Sequence, residues 1–201
     1  LLAYNIHSTA LKGKDTLTYR HSFAGAIGIS KKRRADIAWL FTDSAALYPL
    51  ASQVAVPHFR DSNAILTKAL LPSNAIFRKW KMQTAVAGGP VLIQNGQINI
   101  SNNQEQRFAG KQIDDLHPRT AMGYTADGHL IIMVVEGRNP GIAEGASLTQ
   151  LAQLMLSVGC IEALNLDGGG SSTMLINGKE TIKPSDKTGQ RPVPAAVSYT
   201  H

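Results

Sequence analysis

The chain has 201 residues, 43% of them hydrophobic and 17% charged, the proportions of a single globular domain (residues 1–201) rather than a disordered segment. No apolar run reaches the roughly 18 residues of a membrane-spanning helix. The one cysteine, Cys160, excludes an internal disulfide and a cysteine-based zinc cage. The net charge of +6 favours anionic partners: phosphate-bearing glycans, nucleic acid or a membrane surface.

Residues 1–6, LLAYNI, read as the interior of a strand and lack the layout of a signal peptide. The expectation is that a further segment precedes them. GAIGIS (residues 25–30) and ADIAWLF (residues 35–41) read as strands, with Lys31, Lys32, Arg33 and Arg34 as the solvated tip of the hairpin between them. Single-strand nucleic-acid binders interleave basic patches with aromatic residues. This chain has no such repeated pattern, so no nucleic-acid partner is expected. A short helix is expected within residues 61–70, stopped by Pro72.

Three turn signals then punctuate the chain: Asn95-Gly96, Asp127-Gly128 and Asn177-Gly178, each between apolar runs. Such dipeptides mark tight hairpins, whose two central residues need positive φ. A largely antiparallel sheet follows. The run HLIIMVV (residues 129–135) is apolar almost throughout, which predicts a strand buried on both faces. The clearest helix covers residues 147–158. Ser147 and Gln150 make a capping box, Ala146 and Leu151 occupy the staple positions, and Gly159 is the C-terminal stop. Leu148, Leu151, Ala152 and Met155 form its apolar stripe, joined in the repeat by Leu154. Cys160 opens the next strand (residues 161–166) as a core residue. The fold class is α+β: a mixed, largely antiparallel β-sheet core with a few helices. If strands 129–136 and 161–166 share a sheet, the crossover between them brings their far ends, Glu136 and Asp167, to the same edge.

Four strand ends carry polar or glycine-rich chemistry. AVAGGP (residues 85–90) supplies Gly88 and Gly89, and LHPRTAMG (residues 116–123) supplies His117 and Arg119 around Pro118. EGRNPG (residues 136–141) supplies Glu136 and Arg138. The fourth, LNLDGGGSSTML (residues 164–175), ends a strand on Asp167 and continues through Gly168, Gly169, Gly170, Ser171 and Ser172. A plain turn needs one glycine. Three suit peptide N–H groups that must approach a ligand oxygen closely. A nucleotide phosphate loop ends in Gly-Lys-Ser/Thr and opens a helix, whereas here STML opens a strand. Arginine suits bidentate contact with phosphate, so two carboxylates with two arginines suggest cleavage of a phosphorylated or otherwise anionic sugar. The six histidines are scattered and show no metal-ligand spacing; neither a metal nor another cofactor is expected.

AVAGGPVLIQNGQ, HPRTAMGYTADGHLIIMVVEGR, LTQLAQLMLSVGCIEALNLDGGGSSTM and RPVPAAVSY lie between residues 85 and 199. In this order and spacing the chain resembles the phosphodiester glycosidase family, also known as domain of unknown function 2233. The resemblance implies hydrolysis of a glycosyl–phosphate bond. It implies Asp167 as nucleophile or as the base activating water, with Glu136 as the second carboxylate or as a residue orienting Arg138. Arg119, Arg138, His117 and Arg191, the Gly88–Gly89 pair, the Gly168–Gly170 run, Ser171 and Ser172 become contacts to substrate or phosphate. The family's Asn-Gly-Gly-aromatic-Phe motif is absent here, and Glu136 stands where aspartate is frequent. The resemblance also implies a periplasmic or cell-surface location and a phosphorylated glycan as substrate. The alternative function is a non-catalytic binding module for anionic glycans.

Overall fold

The computed structural model describes residues 8–10, 19–21, 24–41, 49–55, 76–105, 107–193 and 196–199. Ser8–Ala10 (β1) pairs antiparallel with Tyr19–His21 (β2). A first five-stranded sheet follows, from Ala24–Ile29 (β3), Ala35–Phe41 (β4), Leu50–Ser52 (β5), Arg78–Lys79 (β6) and Thr84–Ala87 (β7), in the order β6-β5-β4-β3-β7. The second sheet takes Val91–Gln94 (β8), Gln97–Ile98 (β9), Arg119–Thr125 (β10), Leu130–Val135 (β11) and Cys160–Asn165 (β12), in the order β11-β10-β12-β8-β9. Helices Asn102–Glu105 (α1) and Leu148–Ser157 (α2), the 3₁₀ turns Gly110–Ile113 and Gly169–Ser171, and the ribbon Leu175–Ile176 (β13) and Lys179–Glu180 (β14) complete the described elements. Neighbouring strands pair antiparallel throughout. The fold is α+β, as its turn signals and one strong helix predict.

Alternation along the strands sets the layers. In β4, Ile37 and Trp39 face the second sheet, while Ala38 and Leu40 face outward under Trp80. In the second sheet, Met122 and Leu164 meet Ile27, Ile37 and Trp39. Ala121 and Ala163, one residue along, turn to the other face and pack under α2. Helix α2 buries Leu148, Leu151, Ala152 and Met155 against that face and leaves Leu154 exposed. Ser147 Oγ accepts from Gln150 N at 3.1 Å and Gln150 Oε1 accepts from Ser147 N at 2.9 Å, the reciprocal box the sequence specifies. Gly159 takes φ +87° at the stop, and Cys160 is buried in the same cluster, where burial raises its thiol pKa.

Two sequence expectations are refined, and one is not tested. The 61–70 helix lies outside the described residues. Strand β11 has apolar clusters on both faces, with Leu130 and Ile132 toward the first sheet and Ile131, Met133 and Val135 toward α2. It is nevertheless the edge strand among the described residues, and all six of its residues are only half-buried. At Asn95-Gly96 and Asn177-Gly178 both residues take positive φ, but at Asp127-Gly128 only Gly128 does, at +92°. The Gly128 N–H donates to Thr125 O and Thr125 N to His129 O, a longer loop closed by a glycine bulge. The Asp127 carboxylate, which accepts from the Thr125 hydroxyl and pairs with His129 Nδ1 at 2.9 Å, stabilises it and is held at a pKa of about 2 by those contacts.

The sheets are joined by a buried carboxylate. Glu105 is 3% exposed. Its Oε1 accepts from the Trp39 indole N–H at 3.0 Å, from Val91 N at 3.0 Å and from Ser101 Oγ at 2.6 Å. Its Oε2 accepts from Gly25 N at 3.2 Å and faces Arg107 Nε at 3.8 Å. Donors on β3, β4 and β8 thus share one acceptor. Glu105→Ala would strand the buried Trp39 indole and Gly25 N–H donors, each costing about 1–3 kcal/mol when unsatisfied, while Val91 N keeps Ser101 Oγ and the Ser101 hydroxyl falls back on Val91 O. Urea unfolding is expected to show a loss of about 3 kcal/mol, and a smaller one for Glu105→Gln, which keeps an acceptor oxygen.

Candidate active site

The four chemistry-bearing strand ends converge on one edge of the second sheet. Strand β10 runs antiparallel to both β11 and β12, so the start of β10 (His117–Arg119) lies with the ends of β11 (Glu136–Arg138) and β12 (Leu166–Gly170). Strand β8 is antiparallel to β12, which brings Gly88–Pro90 to the same edge. There Gly89 N donates to Asn165 O at 2.7 Å, Asn165 N to Pro90 O at 3.1 Å and Asn165 Nδ2 to Gly89 O at 3.0 Å.

Glycines let these ends touch. A Cβ on Gly168 would lie 2.8 Å from Pro118 O, and Gly169 N donates to that same carbonyl at 2.8 Å. Gly137 and Gly145 press against the His117–Pro118 backbone from the other side. Asp167 Oδ1 accepts from Gly168 N at 2.9 Å. Beyond it Gly169–Ser171 forms a single 3₁₀ turn, with Ser171 N on Gly168 O and Ser172 N on Gly169 O. Ser172 is buried, its Oγ 3.1 Å from Thr120 Oγ1, while Ser171 is half-buried. The Gly88 and Gly89 approaches are filled by the protein itself: by Asn165 O at Gly88, and by the Glu105 carboxylate and Arg107 at Gly89.

Charge is distributed unevenly over this edge. Asp167 is exposed, and its Oδ2 has no hydrogen-bond partner among the described residues. The Arg138 guanidinium lies over Gly169, whose Cβ would come within 3.1 Å of Nη2. Arg191 lies over Gly170 and grips Asp186, with Nε to Oδ2 at 2.9 Å and Nη2 to Oδ1 at 3.5 Å. That bond raises the Arg191 pKa above its ordinary value, and the Asp167 charge adds to the effect. Glu136 is half-buried; its Oε1 accepts from Asn139 Nδ2 at 3.3 Å and its Oε2 from Lys183 N at 3.0 Å. Arg119 is buried, donating from Nε to Ala146 O and from Nη2 to Asp115 O, both at 2.8 Å, with Phe108 against its guanidinium. Burial pulls its pKa below the usual value. His117 is half-buried with Nδ1 enclosed and unpartnered among the described residues. Burial, then the Arg119 and Arg138 charges, lower its pKa, so the imidazole is neutral at pH 7.

Asp186 belongs to the site and is not apparent in the sequence. It sits in the polar stretch KPSDKTGQR, where nothing in composition or spacing separates it from a solvated loop. Its tie to the glycine turn exists only in three dimensions. Among the described residues no three His, Cys, Asp or Glu side chains gather in a metal-holding group, and no helix is long and apolar enough to cross a membrane.

The sequence profile of the phosphodiester glycosidase family matches residues 23–200. Bovine and human N-acetylglucosamine-1-phosphodiester alpha-N-acetylglucosaminidase are each 33% identical over 103 residues, 47% of this chain and 19% and 20% of theirs. An uncharacterized SPbeta prophage-derived protein of Bacillus subtilis, YomE, is 44% identical over 70 residues, 35% of this chain and 11% of its own. The alignments thus span about a fifth or less of these relatives' length. The solved catalytic domain of the zebrafish N-acetylglucosaminidase, auto-inhibited by its pro-peptide, superposes with a TM-score of 0.51 at 24% identity. That superposition covers 87% of this chain and 50% of the zebrafish one, a likeness of fold.

The Arg191–Asp186 pair makes a measurable mark. The Arg191 bond, then its charge and that of Arg138, hold the Asp186 carboxyl below the usual carboxylate pKa. A group whose pKa is depressed on folding adds stability above its unfolded pKa and loses it as the pH falls through the folded one. In Arg191→Ala the Asp186 titration, followed by carboxyl NMR, is expected to move up toward the ordinary value; an unchanged titration would mean the pair does not hold in solution.

Proposed function

Because the chain belongs to the phosphodiester glycosidase family, we propose that it hydrolyses the glycosyl–phosphate bond of a sugar phosphodiester at the glycine-rich sheet edge. One observation carries the reading: Asp167 offers an unpaired carboxylate oxygen at the sheet edge where the guanidinium groups of Arg138 and Arg191 cover the two glycines that follow Gly168. A carboxylate beside two arginines is a poor design for holding phosphate alone and a good one for splitting a bond between phosphate and a carbon that turns cationic.

In this reaction the C1–O bond breaks and its electron pair stays on the phosphate oxygen. A phosphate monoester has its second pKa near about 6, so it departs at neutral pH without needing a proton from a strong general acid. The cations that receive the growing charge matter more. Arg138 and Arg191 fill that role, with the neutral His117 and Ser171 as further polar contacts. Asp167 faces the oxocarbenium-like sugar carbon, either attacking it or deprotonating the water that does. The ends of β11 and β12 are two strands apart, about 10 Å between axes, and both oxygens of Glu136 are already engaged. Glu136 is therefore assigned to anchoring the segment around Lys183 beside the site. Arg119 fixes the His117–Pro118 entrance through Ala146 and Asp115. Gly88 and Gly89 hold the end of β12 in place.

Release of sugar from N-acetylglucosamine-α-phosphate diesters tests the proposal. Asp167→Asn is expected to lower kcat by roughly a thousandfold or more with KM nearly unchanged, and Arg138→Ala to lower it by on the order of a hundredfold. Absence of turnover in the parent chain, with binding equal or tighter in Asp167→Asn, would transfer the site to a non-catalytic glycan-binding role. The anomeric configuration of the released sugar distinguishes attack by Asp167 from attack by water.

A further inference from the structure

The proposed reaction needs a phosphate position, and the structure holds an anion at a position suited to it. Asp186 arrives from a segment that returns over the glycine turn, tied down by Thr181 N on Met174 O at 3.0 Å and Lys183 N on Glu136 Oε2. Its carboxylate is received in the fork of Arg191 and lies against Gly170 so closely that a Cβ there would overlap both carboxylate oxygens and the Arg191 guanidinium. Arg138, over the neighbouring Gly169, adds its charge. An arginine fork holding a planar anion against a bare glycine turn, with a second arginine over the adjacent glycine, is the pattern by which proteins bind phosphate, with a carboxylate in the phosphate's place.

We propose that the Asp186 carboxylate occupies the phosphate subsite as an internal competitor, which a phosphodiester substrate must displace from Arg191 to bind. The inference rests on the phosphodiester glycosidase reading of this edge, which it makes more specific. Both anions cannot use the Arg191 fork at once, so substrate entry requires Asp186 to swing away while the Arg138 and Arg191 positions are kept. After bond cleavage the leaving phosphate bears a second negative charge, and the tethered carboxylate, present at high effective concentration, competes with it for the fork and favours its release. A side chain serving only to fasten the 181–191 segment would have no such relation to phosphate.

Binding of inorganic phosphate to the parent chain, Asp186→Asn and Asp186→Glu, measured by calorimetry at pH 7, separates the two roles. Asp186→Asn keeps the shape and removes the competing charge; it is expected to bind phosphate on the order of tenfold or more tightly. Asp186→Glu retains a competitor and is expected to remain near the parent. For any variant with turnover, Asp186→Asn also lowers KM and strengthens inhibition by phosphate, shifts that a purely structural clasp would not produce. Equal or weaker phosphate binding in a folded Asp186→Asn protein overturns the proposal, as does the absence of phosphate binding in all three. Should Asp186→Asn fail to fold, Asp186→Ser is measured in its place against the same criterion. Failure of the glycosidase reading is scored separately, by turnover in the parent and its loss in Asp167→Asn.

Discussion

The candidate site depends on a buried carboxylate that fastens the two sheets to each other. Glu105 gathers donors from β3, β4 and β8 into one buried cluster, and an anion in such a place is tolerable only when its oxygens are saturated with donors. Two of those donors are backbone N–H groups at fixed points, Gly25 and Val91, so the cluster sets the relative position of the two sheets as well as their cohesion. The constraint passes directly to the active edge. Gly89, immediately before β8, has room only for hydrogen beside Glu105 and Arg107. Its N–H and carbonyl, with Pro90 O, then clamp Asn165 at the end of β12. Asp167 stands two residues beyond that clamp.

The same edge shows how glycine serves two ends. Gly168 is needed where the chain passes over Pro118 O, and Gly137 and Gly145 are needed where the His117–Pro118 segment is squeezed between loops. These contacts are internal to the protein, yet they produce a thin floor with no side chains rising from it. Arginine guanidinium groups then settle on Gly169 and Gly170. Close packing and anion binding are therefore not rival explanations of the triple glycine. A side chain at Gly168 would meet backbone, whereas the arginines cover Gly169 and Gly170.

Much of this was legible in the sequence because it is written locally. The capping box at Ser147, the stop at Gly159 and the Asn-Gly hairpins each involve residues within a few positions of one another. That Glu136 and Asp167 follow strands ending at one edge comes from the strand–helix–strand return, which makes the two strands parallel with β10 between them. What escaped are contacts without a local mark. Glu105 sits in a short polar stretch, NNQEQRF, and its partners lie 80, 66 and 14 residues away. Arg119 reads as a phosphate contact because a guanidinium suits bidentate binding; here its guanidinium also meets carbonyls of two loops that only the tertiary fold delivers. Strand β11 reads as buried on both faces because it is apolar throughout; what those faces meet, a helix and a sheet, can cover an edge strand as well as an inner one.

Backbone conformation adds an argument that the side chains alone do not make. Four non-glycine residues take positive φ among those described: Asn95 and Asn177, in the hairpins that demand it, and Arg33 and Arg138. Asparagine enters the left-handed region readily, whereas arginine gains nothing there and a glycine or asparagine would relieve the cost. At Arg33 the exposed tip of a tight hairpin imposes the geometry. At Arg138 the same turn follows the end of β11 and is closed by Asn139 and Ala143. Strain of this kind persists when the surrounding structure over-determines it, and it concentrates where a side chain has a task. The left-handed backbone accompanies placement of the Arg138 guanidinium over Gly169, so the unfavourable conformation is matched by a cation held at the point where the proposed reaction develops negative charge.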